Sequence, residues 1–432
     1  MYAKASELLK NIRLQALLII LKARKLSVCF LPFAAFLLAL PSPNAVADNA
    51  GSMKQFQKCL SRLENTAIES GVSSQTVKSA LESIQWLEDV IRADRSQPEF
   101  HLTFWHYLES RVTDARVERG REMYHAHYNL LHKIYLRYGV PPHYLVALWG
   151  METNYGSNFG SVPLMSALAT LACGRRRSNM FTREFISALL IQENGAMDLA
   201  RSKGSWAGAI GHMQFLPSTC LKHAVDSDKD GRIDLFGSLP DAFASAANYF
   251  HRSGWKKGKR WGREVLIPLN FNYVLAGLGT NKSVNEWRAL GLVDASGEPL
   301  PESDIEGSLL LPMGHNGPAF LVYRNFHIIR KWNASISFAL AVGHLADRIA
   351  GMDGLTTKCP DHLRPLSTAE VREIQEWLNR LGYESGEVDG LVGRRTRAAA
   401  RAFQAEAGLP ADGYLTHELM EMLQHAERNR AF

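Results

Sequence analysis

Apolar residues recur at helical spacing through most of this chain. Val77, Leu81 and Ile84, then Tyr128, Leu131, Ile134 and Tyr135, mark amphipathic helices between residues 56 and 137. The same spacing predicts helices over residues 165–171, 183–190, 239–252 and 335–350. Residues 309–313 and 320–323 are short apolar runs in a Gly/Pro-rich stretch, and they predict strands. The pattern gives a mainly α domain with a small β or irregular insertion. Residues 351–365 hold two glycines, two prolines and few apolar side chains, and predict a linker. Beyond it Val371, Ile374, Leu378 and Leu381 form one helical stripe. Thr396, Ala399, Ala400 and Phe403 form a second, and Leu419, Met422 and Leu423 a third. Asp389-Gly390 and Asp412-Gly413 provide turns between them. Three helices over roughly 60 residues can close a core of their own.

One of these helices ends on a carboxylate. Pro141 and Pro142 suit first helical positions, and Gly156 can end the segment. Leu145, Leu148 and Trp149 fall on the face of Glu152 in a 3.6-residue helix. An apolar face removes water from a carboxylate, and the negative end of the helix dipole also opposes its ionisation. Both favour the protonated form that a general acid needs. The alternative is a buried Glu paired to a distant Arg, and this helix alone does not choose between them.

At 432 residues, 46% of them hydrophobic, the chain can bury a large core and hold two or more domains. Its formal charge of +6 points at first to an anionic partner. Residues 1–47 change that picture. They carry Lys4, Lys10, Arg13, Lys22, Arg24 and Lys25 against Glu7 alone, so the remaining chain is close to neutral. Nucleic acid is not an expected partner. A basic region ending at Lys25, an apolar run over 26–40 and the small-x-small sequence Ala45-Val46-Ala47 predict a cleaved signal peptide over residues 1–47. An uncleaved anchor is the alternative. The run is short for a transmembrane span, and the mature protein is expected in the periplasm. Export leaves Cys59, Cys173, Cys220 and Cys359 in an oxidising compartment, where three full pairings exist. The spacing selects none of them and fits no zinc motif.

In the stretch Ser205-Trp-Ala-Gly-Ala-Ile-Gly-His-Met-Gln-Phe-Leu-Pro-Ser218, glycines let backbone approach a ligand and Gln214 offers a donor and an acceptor. No Gly-Lys-Ser/Thr follows, as a phosphate loop requires. Helix packing explains the stretch equally well by itself.

Taken with Trp149-Gly-Met-Glu-Thr-Asn-Tyr-Gly156, this loop resembles the lytic murein transglycosylase B family. The likeness continues through Asn248-Tyr249-Phe250, Gly254-Trp255, Gly317-Pro-Ala-Phe320, Asn333, Ala339-Leu-Ala-Val-Gly343 and Leu345-Ala-Asp-Arg-Ile349. It implies a lysozyme-like catalytic domain over residues 53–350, with Glu152 as catalytic acid and base. Ser205, Gln214, Tyr249 and Asn333 fall where that family lines its glycan cleft. Leu381-Gly-Tyr, Val388-Asp-Gly and Phe403-Gln404 with Gly408-Leu-Pro-Ala-Asp-Gly413 resemble a peptidoglycan-binding module, over residues 366–426.

The implied reaction cleaves the β-1,4 bond after N-acetylmuramic acid and closes a 1,6-anhydro ring. It needs one carboxylate, where ordinary glycosidases need two. The other readings are a lysozyme-type hydrolase using the same acid, and a non-catalytic wall-binding scaffold. Expected partners are peptidoglycan glycan strands, with the C-terminal module on the cell wall, for a monomer that needs no catalytic cofactor.

Asp226-Ser-Asp-Lys-Asp-Gly-Arg-Ile-Asp234 reproduces the start of an EF-hand loop. Asp226, Asp228 and Asp230 supply oxygens, Gly231 the turn and Arg232 its carbonyl. Gly237 stands at the twelfth position, and Asp241 supplies the missing ligand if the loop is extended, as in some relatives of the family. The expectation is a structural calcium, against an Asp-rich surface turn. The basic runs 175–177 and 256–260 are expected to be solvated faces.

Overall fold

The computed structural model describes residues 43–95, 103–174, 176–199, 201–360 and 364–430. The apolar run assigned to export lies outside the described residues. Ala45-Val46-Ala47 fall in the first turns of a helix, Pro43–Glu69. No described helix is long and apolar enough to cross a membrane. The residues from Lys54 onward form one compact unit.

At its centre runs the helix Pro142–Thr153, with Pro141 extended before it and Asn154 left-handed after it. Every side chain from Tyr144 to Gly150 is buried, so this helix is apolar all round and not amphipathic. Water reaches it only at its two ends, at Pro142 and His143 and again at Met151 and Glu152. The helices Asp114–Ala126, Tyr128–Tyr138, Leu239–Arg252 and Ile336–Ile349 pack against it. A Cβ at Gly150 would stand 2.6 Å from the Tyr155 ring, so glycine is what lets that ring fold back onto the helix. Tyr155 then donates its hydroxyl to the Arg116 carbonyl at 2.6 Å.

The other expected helices form as Leu164–Cys173, Ser178–Glu193, Leu239–Arg252 and Ile336–Ile349. A disulfide joins Cys59 to Cys173, selecting the pairing that spacing left open. The Cys220 thiol is buried, and burial pushes its pKa up to about 12. The basic run at 176–177 is not simply solvated. Arg177 pairs with the buried Asp94, and Arg176 lies 3.8 Å from it, because a buried carboxylate requires a partner. Arg260 likewise reaches the largely buried Asp347 at 3.4 Å.

Two sheets interrupt the helices. The strands β1 (Val162–Pro163) and β2 (Lys203–Gly204) pair antiparallel, with Val162 opposite Gly204. This pairing ties the chain just after Glu152 to the chain just before Ser205. The insertion is larger than two strands. It is an antiparallel sheet of β3 (Gly262–Leu266), β4 (Lys282–Ser283), β5 (Val293–Asp294), β6 (Glu306–Leu310) and β7 (Ala319–Val322). Their spatial order is β4-β6-β7-β3-β5. Along β7 the side chains alternate between two cores. Phe320 and Val322 join the helical core, while Ala319 and Leu321 join a separate cluster around Trp287.

The helices Thr368–Arg380, Arg394–Glu406 and His417–Arg430 enclose the last core, built on Ile374, Leu378, Ala400, Phe403, Leu419 and Leu423. The stretch before this module is strapped down over Thr356 and Thr357, whose backbone N–H groups donate to Glu264 of β3. The module itself docks through Asp412, which accepts from the His315 backbone N–H at 2.8 Å.

Candidate active site

Glu152 occupies the last turn of the central helix and is half-buried. Directly after it, Asn154, Tyr155 and Gly156 all adopt left-handed backbone, with φ of 48°, 59° and 79°. For two non-glycine residues this is uncommon, and local bonds hold it. Thr153 donates its hydroxyl to the His212 carbonyl at 2.8 Å, and the Trp149 indole donates to His212 Nδ1 at 3.0 Å. The glycine-rich loop is thereby fixed to the end of the Glu152 helix. As an acceptor, His212 Nδ1 is unprotonated, and burial lowers the pKa of this ring.

The indole N–H of Trp332 donates to Glu152 Oε1 at 2.9 Å. Trp332 ends the helix Arg324–Trp332 and is packed by three rings, Phe215 at 4.8 Å, Tyr249 at 5.0 Å and Phe250 at 5.7 Å between centroids. Its neighbours bring the expected residues together. Asn333 follows it in extended backbone, and its side-chain oxygen accepts from Ser335 N at 3.0 Å. Tyr249 donates its hydroxyl to the Lys331 carbonyl at 2.7 Å, and burial raises its pKa. Gln214 precedes Phe215 in left-handed backbone, φ 51°, and donates to the carbonyls of Gly211 and Phe159 at 3.1 and 3.3 Å. Ser205 lies farther along the same loop, where its hydroxyl accepts from Ala209 N at 3.1 Å. It is not among the ring contacts of Trp332.

The aspartate loop braces this arrangement from behind. His212 N donates to the Leu235 carbonyl at 2.9 Å, and Phe236 packs on Phe159 at 5.8 Å. Asp226, Asp228 and Asp230 each offer an oxygen within 4.8 Å of the others, a donor set that suits a hard divalent cation. Asp241 is not part of that group. It is buried, and its two oxygens accept from Ser227 N at 2.7 Å and Asp234 N at 2.9 Å, closing the loop on itself. Arg232 is exposed and its backbone N–H donates to Asp230 at 2.8 Å.

This arrangement has known counterparts. Residues 55–347 match the transglycosylase SLT domain, and residues 367–423 a putative peptidoglycan binding domain. The chain belongs to the SLT transglycosylase family. This lytic transglycosylase is 30% identical over 292 residues to the membrane-bound lytic murein transglycosylase B of Escherichia coli strain K12. That match covers 65% of the chain and 79% of the relative. SltB3 from Pseudomonas aeruginosa, crystallised in complex with NAG-anhNAM-pentapeptide, is similar with a TM-score of 0.82 and 42% identity. It covers 85% of this chain and 99% of SltB3. The Escherichia coli lytic transglycosylase Slt35 in complex with calcium gives a TM-score of 0.58 and 30% identity, over 68% of this chain and 92% of that one. The helical domain of the lytic transglycosylase is lysozyme-like, as in these relatives.

Sequence reasoning missed two residues of the site. Trp332 gave no signal beyond an aromatic at the end of an apolar stripe, because its contact with Glu152 spans 180 positions. His212 stands within the glycine-rich stretch, and a polar ring among small residues was the available hint.

Proposed function

We propose that this lytic transglycosylase cleaves the MurNAc–GlcNAc β-1,4 bond of peptidoglycan through Glu152, acting first as acid and then as base. The observation that carries the reading is the state of that side chain. It sits half-buried at the C-terminal end of a helix whose middle is fully buried, with Oε1 accepting the Trp332 hydrogen. The transferable proton is that of the Glu152 carboxyl. It passes to the glycosidic oxygen as the bond breaks. The N-acetyl oxygen of the sugar stabilises the positive centre at C1. Ionised Glu152 then takes the proton of the C6 hydroxyl as that oxygen bonds to C1, closing the 1,6-anhydro ring without water. General acid–base help of this kind contributes roughly 10²–10⁴ in rate.

Gln214, Tyr249 and Asn333 line the sugar path beside Trp332, with Ser205 at its far end. Tyr249 presents chiefly its ring, because its hydroxyl already donates to Lys331. A calcium ion held by Asp226, Asp228 and Asp230, with the Arg232 carbonyl, stiffens the loop behind Gln214 and takes no part in bond breaking. Asp241 serves that site as a brace and not as a direct ligand. The protein works as a monomer in the periplasm after export, held on the wall by its C-terminal module.

Digestion of purified sacculi followed by mass spectrometry tests the reaction. Anhydro-ended fragments, each one water lighter than a reducing end, support it. Reducing-end fragments would make the enzyme a muramidase, and wall binding without soluble fragments would make it a scaffold.

A further inference from the structure

The C-terminal module contains one hydrogen-bonded unit twice. In the first copy Gln375 donates to Asp389 Oδ1 and to the Leu391 carbonyl, both at 3.1 Å. It accepts from Gly390 N at 2.9 Å, and Asp389 Oδ1 accepts from Leu391 N at 2.8 Å. In the second copy Gln404 donates to Asp412 Oδ1 at 3.1 Å and to the Tyr414 carbonyl at 3.3 Å. It accepts from Gly413 N, and Asp412 Oδ1 accepts from Tyr414 N, each at 2.7 Å. Both glycines are left-handed, at φ 78° and 72°. Each unit leads four residues later into a helix, at Arg394 and at His417.

The second copy shows what the remaining carboxylate oxygen can hold. Asp412 Oδ2 accepts from the backbone N–H of His315 at 2.8 Å and contacts its ring Nδ1 at 2.7 Å, and the side chain is 2% exposed. That copy is used to dock the module on the catalytic domain. The first copy faces solvent. Asp389 is exposed, and the bonds from Gln375 and Leu391 both go to its Oδ1. The hydrogen bond from Leu391 N holds its carboxyl below the usual range, so it is ionised at neutral pH.

Three apolar side chains stand exposed around it, Val388 at 38%, Leu391 at 45% and Val392 at 37%. Beside them is a hollow of about 500 Å³, which Asp389 shares with Gly393, Arg394, Arg395 and Thr396. The last three form the first turn of the Arg394–Glu406 helix, whose backbone N–H groups and positive dipole end favour an anion.

We infer that the Asp389 unit is a binding site for a short zwitterionic peptide. Asp389 Oδ2 takes an N–H or ammonium donor, as its twin takes His315. The start of the Arg394–Glu406 helix takes a carboxylate, and Val388, Leu391 and Val392 cover small alkyl groups. In the wall polymer this chemistry belongs to the stem peptides and not to the glycan, which lacks ammonium groups. The inference rests on reading the module as wall-binding, and it names the part of the wall that is bound.

Titration calorimetry tests it on the full chain carrying Glu152→Gln, so that substrate is not consumed. The probes are a synthetic stem tetrapeptide containing a diamino acid, and the peptide-free disaccharide. The tetrapeptide is expected to bind, and Asp389→Asn to weaken it about tenfold or more. Asn keeps the Oδ1 acceptor, so the melting temperature should not move, and Asp412→Asn should leave peptide affinity unchanged. Equal affinity with and without Asp389→Asn, no binding of the tetrapeptide, or competition by the disaccharide at this site would overturn the inference. Anhydro-product release by the chain with Glu152 restored is read separately, so failure of the glycan-cleaving reaction is not confused with failure here.

Discussion

The indole nitrogen of Trp332 donates to Oε1 of Glu152 at 2.9 Å. A donor of this kind favours the ionised carboxyl. Trp332→Phe keeps the contacts with Phe215 and Tyr249 but removes the hydrogen. A bond to a charged group is worth about 1.5–3 kcal/mol, so kcat should fall roughly 10–100-fold. The alkaline limb of the pH–rate profile should also move upward. A loss of kcat with an unmoved profile would reduce Trp332 to packing.

Calcium should stabilise the folded chain. A ligand held only by the native state at one hundred times its Kd contributes about 2.7 kcal/mol. Calcium chloride is expected to raise the melting temperature of wild type and not of Asp226→Ala/Asp230→Ala. Calorimetry with no heat of binding would remove the ion from the structure.

The Cys59–Cys173 bridge closes a loop of sequence separation 114. Its loss through Cys59→Ser/Cys173→Ser should cost roughly 2–5 kcal/mol, read from urea unfolding. Activity of the folded fraction should persist, since the bridge joins the helix Pro43–Glu69 to Leu164–Cys173 and leaves the Glu152 contacts intact.

Burial lowers the pKa of His344 from 6.5 to about 4, with Arg348 adding to the shift and Glu264 opposing it. The unfolded chain therefore takes up its proton first. Stability from the neutral ring is complete above about pH 6.5 and is lost as pH falls toward 4, by of order 3 kcal/mol. Urea midpoints measured from pH 7.5 to 4.5 should fall less steeply in His344→Gln.

Local chemistry explains what the sequence disclosed. Pro141, Pro142 and the unbroken apolar run to Trp149 sufficed to place Glu152 at a helix end. The stripes of Val371, Ile374 and Leu378 and the paired Asp-Gly turns sufficed for the last module. What stayed hidden depends on contacts distant in sequence. Lys282-Ser283 and Val293-Asp294 are too short to alternate, so these two strands of the insertion carried no period-two signal. β6 begins at Glu306, three residues before its apolar run starts. The Arg176–Arg177 pair found Asp94 across more than eighty positions. The burial of Asp241 and its two backbone donors, Ser227 N and Asp234 N, depend on how the loop folds back and left no mark in its spacing.

Glu152→Gln is the most direct test of the chemistry. The amide still accepts the Trp332 hydrogen but has no proton of suitable acidity to transfer. Purified variant should fold with unchanged far-UV circular dichroism and melting temperature, while anhydro-product release from sacculi falls by at least roughly 10²–10⁴. A folded Gln variant that releases anhydro fragments at a rate near wild type would contradict the assignment of Glu152 as acid and base.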